Sequence, residues 1–124
     1  MITEKTILII DDDVRNIFAL TAVLKAHKFK TVSATNMLTA FELLEIDKNI
    51  GIILIDMMMP GMDGYEAIPK LKSDERYKNI PVVSVTAQAM TGDREKVLAT
   101  GADDYLAKPV DVDKLLKILK ERLK

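Results

Sequence analysis

The chain has no cysteine, no tryptophan and a single histidine among its 124 residues. Without cysteine it can form no disulfide framework, no thiolate metal site and no cysteine nucleophile. No apolar run approaches the ~20 residues of a membrane span, and the polar first residues are unlike a signal peptide. We therefore expect a cytoplasmic protein with no membrane partner.

An excess of charge of one sign is also lacking. The 18 basic and 19 acidic side chains leave a net charge of −1, which gives no sign of direct nucleic-acid binding. Apolar residues make up 48% of the chain, enough for a normal core in a single domain spanning residues 1–124. The one histidine, His27, lies among lysines at the end of a helical pattern, and we interpret it as a solvated helix end.

The most informative stretch is residues 51–64, which read GIILIDMMMPGMDG. The unbroken apolar run at 52–55 predicts a strand covered on both faces, as in a parallel sheet. Asp56 follows at the carboxyl end of this strand, where open α/β sheets place their ligands. Taken alone, an aspartate in that position is more often a turn cap than a functional group, so other parts of the chain must decide.

Strands and helices alternate along the whole chain. Further strands are predicted at 6–10, 31–34, 81–85 and 104–107, with helices near 14–27, 37–44, 65–73, 90–100 and 112–123. This alternation predicts a doubly wound α/β fold, flavodoxin-like, with a five-stranded parallel sheet of order 2-1-3-4-5 and helices on both faces. Pro69 predicts a late start or a kink in the third helix, and Gly101 and Asp111 are expected to end the fourth helix and cap the fifth.

Polar side chains stand at the ends of four of these strands: Asp11 and Asp12, Asp56, Thr86, and Lys108. In the order 2-1-3-4-5 these strands are neighbours ~4.8 Å apart, so the side chains should line one edge of the sheet. Three crowded carboxylates need a cation among them, and an all-oxygen ligand set favours Mg²⁺. Lysine is a common partner of phosphate, so Lys108 and Mg²⁺ could neutralise a transferred phosphoryl group. An aspartate could then attack phosphorus without a histidine or cysteine base.

The segments IIDDD, LIDMMMPGMDG, VTAQA and GADDYLAKPVD resemble the receiver domain of two-component response regulators and hybrid histidine kinases. The resemblance covers essentially the whole chain. It implies that Asp56 is the phosphoacceptor. It also implies an Mg²⁺ site in which Asp12 binds directly, Asp11 binds through water and the backbone carbonyl of Met58 completes the protein ligands.

The same resemblance implies a phosphorylation-dependent switch and not an enzyme. Thr86 would hydrogen-bond the phosphoryl group, Lys108 would pair with it, and the rotamer of Tyr105 would follow Thr86. Met58 and Gln88 would tune the lifetime of the phosphorylated state. The expected partner is a sensor histidine kinase or a histidine phosphotransfer protein, and the expected state is a monomer or a weak dimer on phosphorylation.

Two local features of the chain lead to separate predictions. Lys108 must turn back toward Asp56 shortly before Asp111 starts a helix, so we predict a cis Lys108–Pro109 bond, as the resemblance also implies. Receivers often have Asn-Gly after the second strand, whereas this chain has Asn36-Met37, which questions a left-handed conformation in that turn.

Three other functions fit the sequence less well than the switch. A metal-dependent phosphatase with a strand-end aspartate needs a second acid two residues later, and Met58 occupies that place. A binding domain without chemistry is disfavoured because Asp56, Thr86 and Lys108 are all present. A nucleotide-binding protein lacks its glycine-rich loop after the first strand. The Met57–Met59 run is interpreted as packing and not as a soft-metal site.

Overall fold

A computed structural model describes residues 5–87 and 92–123 of the chain. Within these ranges the strands are β1 (Thr6–Ile10), β2 (Lys30–Ala34), β3 (Ile50–Ile55), β4 (Val82–Thr86) and β5 (Asp104–Ala107). The helices are α1 (Val14–Ala26), α2 (Met37–Ile46), α3 (Gly64–Ser73), α4 (Asp93–Ala99) and α5 (Val112–Arg122). The strands form one parallel sheet in the order β2-β1-β3-β4-β5, which confirms the predicted fold.

Helices cover both faces of the sheet. Successive residues of a strand point to opposite faces, so one strand can contribute to two cores. Ile53 and Ile55 of β3 pack into a core with α2, α3 and α4, while Ile52 and Leu54 pack into a second core with α1 and α5. All four of these side chains are buried. The predicted double coverage of the central strand is therefore confirmed.

Only some of the apolar residues of α1 are buried in the core. Leu20 and Leu24 are buried, whereas Val14 and Phe18 are 63% and 64% exposed. The helix ends at His27, which is exposed as predicted. Lys28 then adopts a left-handed conformation with φ of 69° and ends the helical path.

The turn after β2 needs no left-handed residue. Asn36 is extended, with φ of −157°, and its side-chain oxygen accepts a hydrogen bond from the Thr39 N–H at 2.9 Å. Asn36 therefore acts as the N-cap of α2, a role for which asparagine is well suited. The turn therefore does not need the glycine that receivers often have after this asparagine, because Asn36 is extended and not left-handed.

The prediction of a late start for α3 is wrong, because the helix begins at Gly64, before Pro69, and includes the proline. Asp63 caps it by accepting a hydrogen bond from the Glu66 N–H at 3.0 Å. This cap stabilises the first turn independently of the proline farther along. A kink at Pro69 remains a prediction.

The predicted ends of α4 and α5 are confirmed. Gly101 has φ of +105° and donates its N–H to the Leu98 carbonyl at 3.1 Å, which closes α4. Asp111 caps α5 by accepting from the Asp113 N–H at 2.9 Å. In the part of the chain that the structure describes, no helix is both long enough and apolar enough to span a bilayer.

Candidate functional site

The predicted polar residues meet at one edge of the sheet. Ile10 and Ile55 are register partners, so Asp11 and Asp56 follow the ends of adjacent strands. The Lys108 N–H donates to the Thr86 carbonyl at 2.8 Å, which joins the ends of β4 and β5. The topology of the parallel sheet thus brings the strand ends that carry these five residues to one edge, as expected for the carboxyl ends of parallel strands.

Lys108 connects the two buried acids. Its Nζ lies 3.0 Å from Asp11 Oδ2 and 3.1 Å from Asp56 Oδ2. Asp11 is 2% exposed and Asp56 is 7% exposed, so both carboxylates have lost most of their contact with water. A cation held between them offsets their mutual repulsion. The preceding turn contains the predicted cis bond between Lys108 and Pro109.

The electrostatic balance differs between the acid and the base. Burial raises the pKa of the Asp56 carboxyl, and the nearby Asp11 charge raises it further, against the opposing hydrogen bonds from Met58 and Lys108. Burial alone would lower the pKa of Lys108, but its hydrogen bonds to Asp11 and Asp56 outweigh this and leave its pKa raised. Lys108 is therefore a secure positive charge at the site.

The carboxylates form a group that fits a hard cation. One oxygen from each of Asp11, Asp12 and Asp56 lies within 4.8 Å of the others. Asp12 is exposed, which leaves an open side for water ligands. An oxygen-only donor set with such an open side suits Mg²⁺, which keeps several waters when proteins bind it.

The loop after β3 holds Asp56 from the backbone. The Met58 N–H donates to Asp56 Oδ1 at 3.0 Å, while the Met58 side chain is 53% exposed beside it. Met57 and Met59 are buried in the core, which confirms the predicted packing for these two residues but not for Met58. The role of the Met58 carbonyl remains a prediction, and Gln88 lies outside the described residues.

Thr86 and Tyr105 share one side of the sheet. Val83 and Val85 pack toward α1 and α5, so Thr86, the next residue after Val85, points to the opposite side. Tyr105 packs against the core on that opposite side and is half-buried, and Thr86 is fully buried. A movement of Thr86 would therefore change the packing on the side of the sheet that contains Tyr105.

Comparison with known proteins identifies the arrangement. Residues 7–120 match the family model of the response regulator receiver domain. The chain belongs to this family. Response regulator PleD of Caulobacter vibrioides is 43% identical over 105 residues, which are 85% of this receiver and 23% of PleD. The receiver thus spans about a quarter of the length of that relative.

Two solved structures are similar along nearly the whole receiver. The receiver domain of the Pseudomonas aeruginosa PAO1 sensor histidine kinase PA1611 has a TM-score of 0.85 and 30% identity, covering 96% of this chain and 97% of that one. It has a magnesium ion coordinated in its active site cleft. The co-crystal structure of the Saccharomyces cerevisiae histidine phosphotransfer signaling protein Ypd1 with the receiver domain of its downstream response regulator Ssk1 gives a TM-score of 0.87 at 26% identity, covering 99% and 91% of the two chains.

Membership of this family sets the class of function. Receivers are signalling domains of two-component phosphorelays and not classical enzymes. The phosphatase and nucleotide-binding alternatives have no support from these matches. The family leaves open which residues of this chain act, and the geometry of the strand ends is the basis for that assignment.

One residue at the site was missed by sequence reasoning. Asn16 donates from Nδ2 to Asp11 Oδ2 at 2.6 Å. It is the third residue of α1 after the capping Asp13, a position from which side chains reach back over the helix start. That spacing is the sequence signal that could have found it.

Proposed function

We propose that this receiver, a single domain of residues 1–124, is a phosphorylation-dependent switch in which Asp56 accepts a phosphoryl group. The observation that carries the proposal is the Asp56 carboxylate, held 3.1 Å from the Lys108 ammonium among two further carboxylates. An Asp56 oxygen attacks the phosphorus of a phosphohistidine. The phosphorus–oxygen bond forms as the phosphorus–nitrogen bond breaks, and the electron pair of the broken bond leaves with the imidazole.

The residues suited to hold Mg²⁺ are Asp12 directly, Asp11 through water, Asp56, and the backbone carbonyl of Met58. The acidic group supports this assignment, as does the magnesium ion in the cleft of the PA1611 receiver. When bound, Mg²⁺ draws negative charge from the phosphoryl oxygens. Lys108 supplies a second positive charge from the protein, and the Thr86 hydroxyl donates a hydrogen bond to the same group.

The proposed partner is a sensor histidine kinase or a histidine phosphotransfer protein. The complex of Ypd1 with the Ssk1 receiver supports this class of partner, because a related fold there meets a histidine phosphotransfer protein. We place the receiver in the cytoplasm, as a monomer or a weak dimer on phosphorylation, without direct contact with nucleic acid. The small net charge of −1 is consistent with that last point.

A phosphodonor experiment tests the assignment of Asp56. Incubation with Mg²⁺ and a small phosphodonor such as acetyl phosphate should add one phosphoryl group per molecule, seen by mass spectrometry. Reduction of the aspartyl phosphate with borohydride, followed by peptide mapping, should place the label on Asp56. Turnover of a generic phosphate ester without stoichiometric labelling would favour a phosphatase, and a label on another residue would overturn the assignment.

We expect phosphorylation to be reported through Thr86 and Tyr105. The phosphoryl group adds three acceptor oxygens, toward which the Thr86 hydroxyl turns, and the space it leaves lets Tyr105 turn inward. Tyr105 borders a groove of about 460 Å³ that also contacts Arg94 of α4 and Lys117 of α5. The change therefore alters the face made by α4, β5 and α5.

Backbone NMR spectra with and without beryllofluoride measure this coupling. In the parent protein, chemical-shift changes should extend from the active-site loops to β5 and α5. In Thr86→Ala, which lacks the hydroxyl, the α5 changes should shrink to less than about half while mimic binding persists. Parent spectra that change only in the active-site loops would contradict this coupling.

The phosphorylated state should last minutes or longer. Hydrolysis requires a water in line with the phosphorus–oxygen bond, and the exposed Met58 side chain covers the approach with apolar bulk. Gln88 can orient a water but cannot take its proton. Met58→Asn should shorten the lifetime about tenfold, since its amide can hold the water. Decay is followed after removal of the phosphodonor, with Met58→Leu as the apolar control.

Two outcomes would show that these side chains do not set the lifetime. One is decay of the parent within seconds. The other is an asparagine variant that decays no faster than the leucine control.

A further inference from the structure

Two residues at the start of α1, Asp13 and Asn16, form hydrogen bonds with Asp11 of the site. Asp13 caps the helix by accepting from the Arg15 N–H at 2.9 Å. The Asp13 N–H itself donates to Asp11 Oδ1 at 2.8 Å. In a capping box the side chain of the third helical residue, here Asn16, would accept a hydrogen bond from the Asp13 N–H. Because Asp11 accepts that hydrogen bond instead, the Asn16 side chain is available for another contact. It reaches Asp11 instead.

Asp11 Oδ2 accepts from two donors. One is Asn16 Nδ2 at 2.6 Å, and the other is Lys108 Nζ at 3.0 Å. With Oδ1 bonded to the Asp13 N–H, both oxygens of this carboxylate are used. Because Asp11 is only 2% exposed, each of these protein donors replaces a water that the carboxylate has lost.

Phosphorylation of Asp56 would change the contacts of Lys108. Its ammonium now divides its donors between Asp11 and Asp56. A phosphoryl group on Asp56 would bring three strong acceptor oxygens to the same place, and the ammonium would turn toward them. Asp11 Oδ2 would then lose a charged donor, at a cost in free energy unless another donor remains.

We infer that Asn16 is a positioning residue that holds Asp11 when Lys108 turns to the phosphoryl group. The inference rests on the proposed function. Asn16 does not touch the phosphoryl group, and it acts through Asp11. Its amide keeps Asp11 Oδ2 hydrogen-bonded in both states, so Lys108 can leave without exposing an unpaired carboxylate oxygen in a buried position.

Loss of the Asn16 amide should change the affinity for beryllofluoride but not the affinity for Mg²⁺, whereas general damage to the site would lower both. In Asn16→Leu the donor is lost at similar volume, but Lys108 still bonds Asp11 in the unphosphorylated state. The affinity for Mg²⁺ alone should therefore stay within about twofold of the parent. Binding of beryllofluoride requires Lys108 to turn. The affinity for beryllofluoride, measured at saturating Mg²⁺, should therefore fall about tenfold.

Both affinities are measured by NMR titration of the parent, Asn16→Leu and Arg15→Ala. Arg15 is the matched control, since its side chain is 90% exposed and contacts Asp13 without reaching Asp11. Thermal unfolding of each variant establishes that it is folded. The arginine variant should match the parent in both titrations.

An unchanged beryllofluoride affinity in Asn16→Leu would overturn the inference, as would an equal loss of affinity for Mg²⁺ and for the mimic. If the parent itself bound no mimic, both this inference and the proposed function would fail. A loss confined to the mimic in the leucine variant supports the inference.

Discussion

Asp56→Asn should lose all phosphoryl labelling and, in the absence of Mg²⁺, become more stable than the parent. The first effect follows because an amide oxygen is a poor nucleophile toward phosphorus. The second follows because burial and the nearby Asp11 charge raise the pKa of Asp56, so the folded protein disfavours its ionised form. Asparagine has nearly the same shape without the charge.

We expect the free energy of unfolding to rise by on the order of 1 kcal/mol, or roughly 4 °C in Tm. Thermal unfolding in EDTA measures this difference. Added Mg²⁺ should then stabilise the parent more than the variant, since the variant has lost one anionic ligand. Thr86→Val, which removes a buried hydroxyl from the same edge but no carboxylate, is the control and should keep the parent's response to Mg²⁺.

The stability difference should also depend on pH, with a definite sign. An acid whose pKa is raised by folding binds its proton more tightly in the folded state, so stability falls as pH rises from the unfolded pKa to the folded pKa. The penalty is complete above the folded value and absent below the unfolded value. The advantage of Asp56→Asn in EDTA should therefore shrink as the pH falls through the raised pKa of the folded state toward 3.8, the ordinary value of an aspartate. An advantage that grows on acidification would contradict the assigned cause.

The sheet order and the position of the site could be predicted because both follow from local patterns. Strands β1, β3 and β4 are mainly apolar runs that end at or just before a polar residue, and parallel topology then brings those ends to one edge. Asp11, Asp56 and Lys108 needed no further information to be placed together. The distances from Lys108 Nζ to Asp11 Oδ2 and Asp56 Oδ2, 3.0 and 3.1 Å, could not be predicted, because they depend on side-chain rotamers.

Contacts between elements were less visible in the sequence. The sequence predicts a helix over 112–123 but not which of its apolar residues are buried: Ile118 is 8% exposed, whereas Val112 is 38% exposed. The angle at which a helix meets the sheet decides such cases, and periodicity does not contain that angle. Pro69 is a similar example, since the cap at Asp63 and the packing of Ile68 and Leu71 support a helix that local propensity disfavours.

The start of α3 approaches the loop after Asp56 closely. Gly64 is buried, and its N–H donates to the Met57 carbonyl at 3.2 Å. A Cβ at this position would lie 2.5 Å from Met57 Sδ and 2.9 Å from Met57 Cα. The sulfur could move aside, but the Cα belongs to the backbone that continues into Met58.

Gly64→Ala should therefore lower the free energy of unfolding by about 3 kcal/mol and the Tm by roughly 10 °C. Gly61→Ala is the matched control, because its Cβ would meet nothing within 4 Å and its φ of +77° is the only obstacle. The control should lose about 1 kcal/mol. Denaturant unfolding of the two variants measures both losses, and an equal or smaller loss at Gly64 would rule out the steric cause.

The same substitution should slow phosphorylation in the fraction that stays folded. The Met58 N–H holds Asp56 Oδ1 at 3.0 Å, and displacing the Met57 backbone displaces this donor. Labelling at low temperature, where Gly64→Ala is folded, should proceed about tenfold more slowly than in the parent, whereas Gly61→Ala should label at close to the parental rate. Parental labelling in Gly64→Ala would mean that the helix moves instead of the loop, leaving the position of Asp56 independent of α3.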